Sequence, residues 1–218
     1  EWASGNAGYA MTGVPKTADD YPTFQIADGK EGKCLSLVTR STGFFGQLMG
    51  MPIAAGNLFI GSFDVNNAMS YPLQATRFGL PFRYVPTYLA GYYKYKAGDK
   101  FTEEGKPVDG RRDICDIYAI MYETSESVPT LDGTNAFTSP NLISMARIDD
   151  AKETDEWTYF KLPFNMLTGK YIDKEKLLEG KYNVAIVFTS SLEGDHFNGA
   201  IGSTLLIDEV ELIYRSEN

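Results

Sequence analysis

The chain has 218 residues, of which 43% are hydrophobic and 13% aromatic, enough apolar material for one large domain and too much for a disordered or low-complexity chain. Its 29 acidic and 20 basic residues leave a net charge of −9, spread along the sequence, which opposes nucleic acid or an anionic membrane surface as partner. No apolar run is long enough to span a membrane as a helix, and the start at Glu1-Trp2 carries no secretory leader, as expected of a mature or trimmed chain.

In chain order, alternation with a period of two predicts strands over residues 33–40, 58–65, 78–84, 88–96, 114–122, 157–163, 182–190 and 205–214. These segments are rich in Val, Ile, Tyr and Phe, and turn dipeptides such as Asp28-Gly29, Asp109-Gly110, Asp132-Gly133 and Glu179-Gly180 separate them. Only residues 173–178 read as a helix. Eight strands without alternating helices predict an all-β, two-sheet antiparallel jelly-roll β-sandwich, a single domain over residues 1–218 with at most one short helix. Long polar insertions at 97–113 and 123–141 are expected to be functional or mobile loops.

Parity assigns faces. In 88–96 the set holding both lysines, Tyr88, Ala90, Tyr92, Lys94 and Lys96, is expected to face solvent. In 157–163, Phe160 and Leu162 point to the core while Trp157, Tyr159 and Lys161 share the other side. In 114–122, Asp116, Tyr118, Ile120 and Tyr122 form one set. If these strands are neighbours, aromatics, lysines and a carboxylate line one sheet surface, a combination suited to sugar C–H faces and hydroxyls. The alternative is a second small core under a loop such as 123–141. In the last strand, parity places Asp208 on the core face with Leu206, Val210, Leu212 and Tyr214. A carboxylate there is either a buried hydrogen-bond anchor or a metal ligand.

The loop Gly194-Asp195-His196-Phe197-Asn198-Gly199 holds the sole His and reads either as a binding loop or as a turn capped by Asp195 and Asn198. No cofactor is expected. A structural Ca²⁺ would draw on Asp64 and Asp208 as weak candidates, since no contiguous calcium loop is present. Two Cys and one His speak against a zinc site; Cys34 and Cys115 read as two buried free thiols, with a cross-sheet disulfide as the alternative. Arg111 and Arg112 are expected to pair in solvent with Asp109 and Asp113, while Arg77 and Arg83 flank an aromatic strand where an acidic sugar would fit.

Several blocks together resemble the putative carbohydrate metabolism domain family. They are Ala55-Gly56-Asn57-Leu58-Phe59-Ile60-Gly61-Ser62-Phe63, Phe78-Gly79-Leu80-Pro81-Phe82 with Pro86 and Gly91-Tyr92-Tyr93-Lys94-Tyr95, Cys115-Asp116-Ile117-Tyr118, and the stretch from Ser190 to Tyr214. Val85 stands before Pro86, where the resemblance calls for a basic residue; Arg83 lies two residues earlier. The resemblance implies a jelly roll similar to carbohydrate-binding modules. It also implies an extracytoplasmic setting in Bacteroides-type bacteria, secreted or as the C-terminal domain of an outer-surface lipoprotein. It carries over no catalytic residue.

Enzyme signatures are absent: no Gly-x-Ser-x-Gly elbow, no phosphate-binding loop, no His-Glu-x-x-His. The first expectation is therefore a non-catalytic glycan-binding module whose partner is a glycan or polysaccharide. Tyr88, Tyr92 and Trp157 would stack on sugar, and Arg83, Asp116, Asp195, His196 and Asn198 would hydrogen-bond it. A glycoside hydrolase using a carboxylate pair is the alternative, and a structural or adhesive surface domain is the third.

Overall fold

The structure, a computed structural model, describes residues 1–216. Within these, the principal strands are β1 (Thr23–Ile26), β2 (Cys34–Val38), β3 (Asn57–Phe63), β4 (Val85–Lys96), β5 (Asp116–Glu123), β6 (Leu142–Arg147), β7 (Thr154–Pro163), β8 (Tyr182–Thr189) and β9 (Thr204–Arg215). They form a jelly-roll β-sandwich of antiparallel sheets. One sheet runs β7-β4-β9-β2-β1. The other runs β3-β8-β5-β6, extended by the short strands Trp2–Ala3 beyond β3 and Asn165–Met166 beyond β6. Between the sheets, Leu37, Leu89, Tyr95, Ile117, Phe188 and Leu205 are nearly or wholly buried.

The two middle strands β5 and β8 are buried on both faces, which is why Ile117-Tyr118-Ala119-Ile120-Met121-Tyr122 and Val184-Ala185-Ile186-Val187-Phe188 read as continuous apolar runs. Their inner face meets the five-stranded sheet. Their outer face meets the 124–141 segment, where Leu131 and Ala136 close over Phe59, Ile120 and Tyr122. The covering-loop alternative therefore holds for this part of the β5 face. The Tyr122 hydroxyl donates to the Phe78 carbonyl and accepts from Asn183 Nδ2 at 3.0 Å. Gly61 is required in β3: a Cβ there would lie 1.9 Å from the Arg77 carbonyl oxygen, so no side chain admits the short strand Thr76–Phe78 beside it.

Three expectations need correction. There are four short helices among the described residues: α1 (Asn6–Ala10), α2 (Gly43–Leu48), α3 (Pro72–Ala75) and α4 (Lys174–Glu179). Only α4 has a side-chain cap at its start: Asp173 accepts from the Lys176 N–H at 3.0 Å, and Gly180 stops the helix at φ 76°. The other three lack a side-chain cap hydrogen bond and run to six residues at most, too short to show a helical period, although Pro72 opens α3 and Gly50, with φ 75°, follows α2. The expected strand 78–84 is instead two short strands, Thr76–Phe78 and Leu80–Pro81, split at Gly79, whose φ is 96°.

The third correction concerns Asp208. Leu205 and Ile207 face the core, so Leu206 and Asp208 face outward. At Glu209, with φ 50°, a β-bulge inserts one residue and switches parity, returning Val210 and Leu212 to the core side. Strict alternation across that bulge misplaces Asp208. Its carboxylate accepts from the backbone N–H groups of Glu31 at 3.1 Å and Glu209 at 2.9 Å, tying the 28–33 turn to β9.

Candidate functional site

The expected binding residues divide between opposite sides of the molecule. Tyr88, Tyr92 and Trp157 lie with Tyr159 on the outer face of the five-stranded sheet, because β4 and β7 are neighbours there. β5 belongs to the other sheet, which removes Asp116 from that surface. Each expected stacking ring also carries an ammonium: Lys161 lies 4.5 Å from the Tyr88 ring centre, Lys30 4.3 Å from Tyr92 and Lys94 5.1 Å from Trp157. Arg83 sits elsewhere again, against Gly180 at the end of α4.

Asp116 and Asp195 meet instead in a cavity of about 230 Å³ on the outer face of the larger sheet. Strand register builds its floor. Asp116 pairs with Thr189 and Thr189 with Asn57, giving one polar row across β5, β8 and β3. Two residues further along, Tyr118, Val187 and Phe59 form an apolar row in the same register. Beyond that row stand Phe78 and Phe63; beside the polar row stand Asp195, Leu192 and Phe197; α1 and α2 contribute further wall, including Tyr9 and Phe45.

The polar row is rigidly held. Arg147 grips Asp116 with two bonds, 3.2 Å from Nε and 2.7 Å from Nη2, and its guanidinium stacks 4.3 Å from the Phe137 ring centre. Burial pushes the Asp116 carboxyl above the ordinary carboxylate range; the Asp195 charge adds to this, and Arg147 opposes it. The Asn57 side-chain oxygen accepts from the Gly5 N–H at 2.8 Å.

Asp195 arrives on a loop anchored from below by Asp113, a residue that sequence reasoning placed in solvent beside Arg111 and Arg112. It is buried and accepts from Ser191 Oγ at 2.6 Å, Ser203 Oγ at 2.7 Å, Ala200 N–H at 2.8 Å and Ile114 N–H at 2.9 Å. Arg111 pairs with Glu193 and Arg112 with Glu153, so neither takes Asp113. The signal for this anchor was the small hydroxyl cluster Ser190-Ser191 with Ser203, which needs a buried acceptor. Asn198 is also structural: its Oδ1 accepts from the Glu104 N–H at 3.0 Å and its Nδ2 donates to Glu193 at 3.3 Å. Phe197 holds φ 59°, a left-handed conformation costly for a bulky side chain, on the cavity wall. His196 is exposed, with Nδ1 2.8 Å from Asp195 Oδ1.

The weak metal candidates do not converge. Asp64 accepts from Arg77 at 2.9 Å in the loop after β3, whereas Asp208 holds a turn on the other sheet. Among the described residues no cluster of three or more His, Cys, Asp or Glu side chains is suited to a metal. Cys34 and Cys115 are buried and unbonded to each other, the first of the two arrangements expected.

The model of one family, described as Putative carbohydrate metabolism domain, matches residues 1–213. The chain belongs to this family. A solved structure described as a putative glycoside hydrolase from Bacteroides thetaiotaomicron VPI-5482 is similar to it at 90% identity and a TM-score of 0.98. That likeness covers 99% of this chain and 63% of the other, so the present family member spans less than two thirds of its relative. Another putative glycoside hydrolase, from Bacteroides vulgatus ATCC 8482, is 52% identical with a TM-score of 0.94, over 98% of this chain and 85% of that one. Comparison with curated proteins finds no match.

Proposed function

We propose that this domain binds a glycan in the cavity over β3, β8 and β5, and that it acts outside the cytoplasm as a recognition module. The observation that supports this most is the register itself: Asp116, Thr189 and Asn57 form one polar row, with Asp195 alongside and aromatic and aliphatic walls around it. Sugars present both hydroxyls and apolar C–H faces, so they match a concave site that combines a few fixed polar groups with apolar walls. Membership in a carbohydrate metabolism family favours the same reading. The outer face bearing Tyr88, Tyr92 and Trp157 is the weaker candidate, since lysines already occupy its rings.

A glycan array followed by calorimetry tests the reading. Binding lost in Asp195→Asn and Asn57→Ala, and kept in Tyr88→Ala and Trp157→Ala, is the expected result; the reverse pattern moves the site to the other sheet. One observation favours a second reading, hydrolysis: Asp116 and Asp195 share the cavity, and the Asp195 charge adds to the upward push that burial gives the Asp116 carboxyl. Release of reducing sugar from a bound glycan, abolished by Asp195→Asn, would establish it.

A further inference from the structure

The cavity is graded, and a plain sugar uses only part of it. Its polar row lies at one side, and the next row of the same strands, about 7 Å along, is Tyr118, Val187 and Phe59. Continuing along β3, Gly61 pairs with Phe78, and Phe63 follows two residues later. The adjoining wall is closed by Met69 and Leu73. In this row the Tyr118 hydroxyl is the one polar side-chain group, so most hydroxyls of a second or third sugar placed over it would meet no partner, and stranding buried polar groups is costly. A polysaccharide continuing through the cavity is therefore a poor match.

Volume narrows the choice. An apolar cavity of about 150 Å³ is enough to hold benzene, and this cavity has about 230 Å³ in all. An aryl ring therefore takes most of this space, which leaves room for only part of one sugar ring beside it and none for a long chain. The apolar half is largely aromatic, with Phe59 and Phe78 packed edge to face at 5.3 Å between ring centres. A flat ring extends such a packing and loses less rotamer freedom than an alkyl chain of similar size. Resting on the glycan reading above, we propose that the cavity takes a single sugar residue joined to an aromatic aglycone, with the sugar over Asp116, Thr189 and Asn57 and the aryl group over Tyr118, Val187 and Phe59.

The test is a calorimetric series of methyl, butyl and phenyl β-glycosides of glucose, galactose, mannose and N-acetylglucosamine. For at least one sugar, the phenyl glycoside is expected to bind tenfold or more tightly than the methyl glycoside, with the butyl glycoside between them. Met69→Gln, a volume-conserving change in a half-buried loop residue, is expected to weaken phenyl-glycoside binding at least threefold. Equal phenyl and methyl affinities overturn the inference and leave the glycan reading standing. Equal phenyl and butyl gains assign the apolar half to alkyl groups and overturn the aryl assignment. Free oligosaccharides bound more tightly than any phenyl glycoside also overturn it. If none of the glycosides or oligosaccharides binds, both readings fall together.

Discussion

Replacing Asp113 should reveal how strongly the Asp195 loop depends on one buried carboxylate. Four donors converge on it at 2.6 to 2.9 Å. In Asp113→Ala the Ser191 hydroxyl can turn to Thr39 Oγ1, already 2.6 Å away. The backbone N–H groups of Ala200 and Ile114 have no such choice, whereas Ser203 Oγ keeps the N–H that Gly98 donates to it at 3.0 Å and its hydrogen bond with the Tyr95 hydroxyl. At about 1–3 kcal/mol for each of the two stranded N–H groups, the expected loss is about 2–6 kcal/mol. Asp113→Asn is milder. Its oxygen can take the Oδ2 position, which serves Ser191, Ser203 and Ala200, leaving only Ile114 N–H facing an amide nitrogen, for a loss of about 1–3 kcal/mol. Urea unfolding followed by tryptophan fluorescence measures both, with the slope checked for constancy. An alanine variant within about 1 kcal/mol of the parent would refute the accounting, as would an asparagine variant costing as much as alanine. Glycan binding by the alanine variant should weaken too, because Ser191 and Ala200 bracket the loop that presents Asp195.

Burial raises the Asp113 and Asp116 carboxyls above their ordinary value of 3.8. Above that value the native state keeps protons that the unfolded chain has lost, so the stability these groups contribute falls as pH climbs through their folded pKa values. The stability penalty of Asp113→Asn should therefore shrink between about pH 4 and pH 7; a penalty independent of pH contradicts the raised carboxyl. Glu209 carries φ 50° at the β9 bulge, where a non-glycine residue costs about 1 kcal/mol. Glu209→Gly should leave the melting temperature unchanged or raise it, and Glu209→Val should lower it by several degrees; the opposite order would place the bulge elsewhere. Burial pushes both the Cys34 and the Cys115 thiol upward. Iodoacetamide should label neither cysteine in the native protein and both in urea, as read by intact mass; rapid native labelling of Cys115 contradicts its burial.

The fold was legible wherever one physical signal dominated. β4 and β7 announced themselves by alternation because one face is wet, and α4 by its Asp173 cap and Gly180 stop. β6 went unread: Leu142, Ile143 and Ser144 are all buried, so no polar face marks a period of two. β1 has only four residues, too few to establish a period. The end of β9 was misread for a different reason. A bulge adds one residue to the count without leaving a sign in composition, and Glu209 is a poor advertisement for a left-handed turn.

The site was harder to read because it depends on register between distant strands. Asp116, Thr189 and Asn57 stand in one row although 73 residues separate the first two and 132 the last two, a consequence of β8 lying between β5 and β3. Alternation shows that Asp116 and Tyr118 share a face, and it shows that Tyr88 and Tyr92 do. It does not say whether those two faces belong to one sheet. Had β4 paired with β5, the aromatic and acidic sets would have formed one surface. Because β4 pairs with β9 and β7, the aromatics became a lysine-capped outer face, and Asp116 turned toward the far side of the sandwich. There β5 lies under a second layer of loop and short helix. That layer covers Ile120 and Tyr122 but leaves space above Asp116 and Tyr118, because Arg147 props Phe137 against Tyr118 and Asp113 holds the Asp195 loop to one side. The cavity is thus a consequence of two carboxylate anchors, Asp116 on Arg147 and Asp113 on its four hydrogen-bond donors, at the margin of an otherwise apolar layer. Weakening either anchor should alter binding before it unfolds the domain.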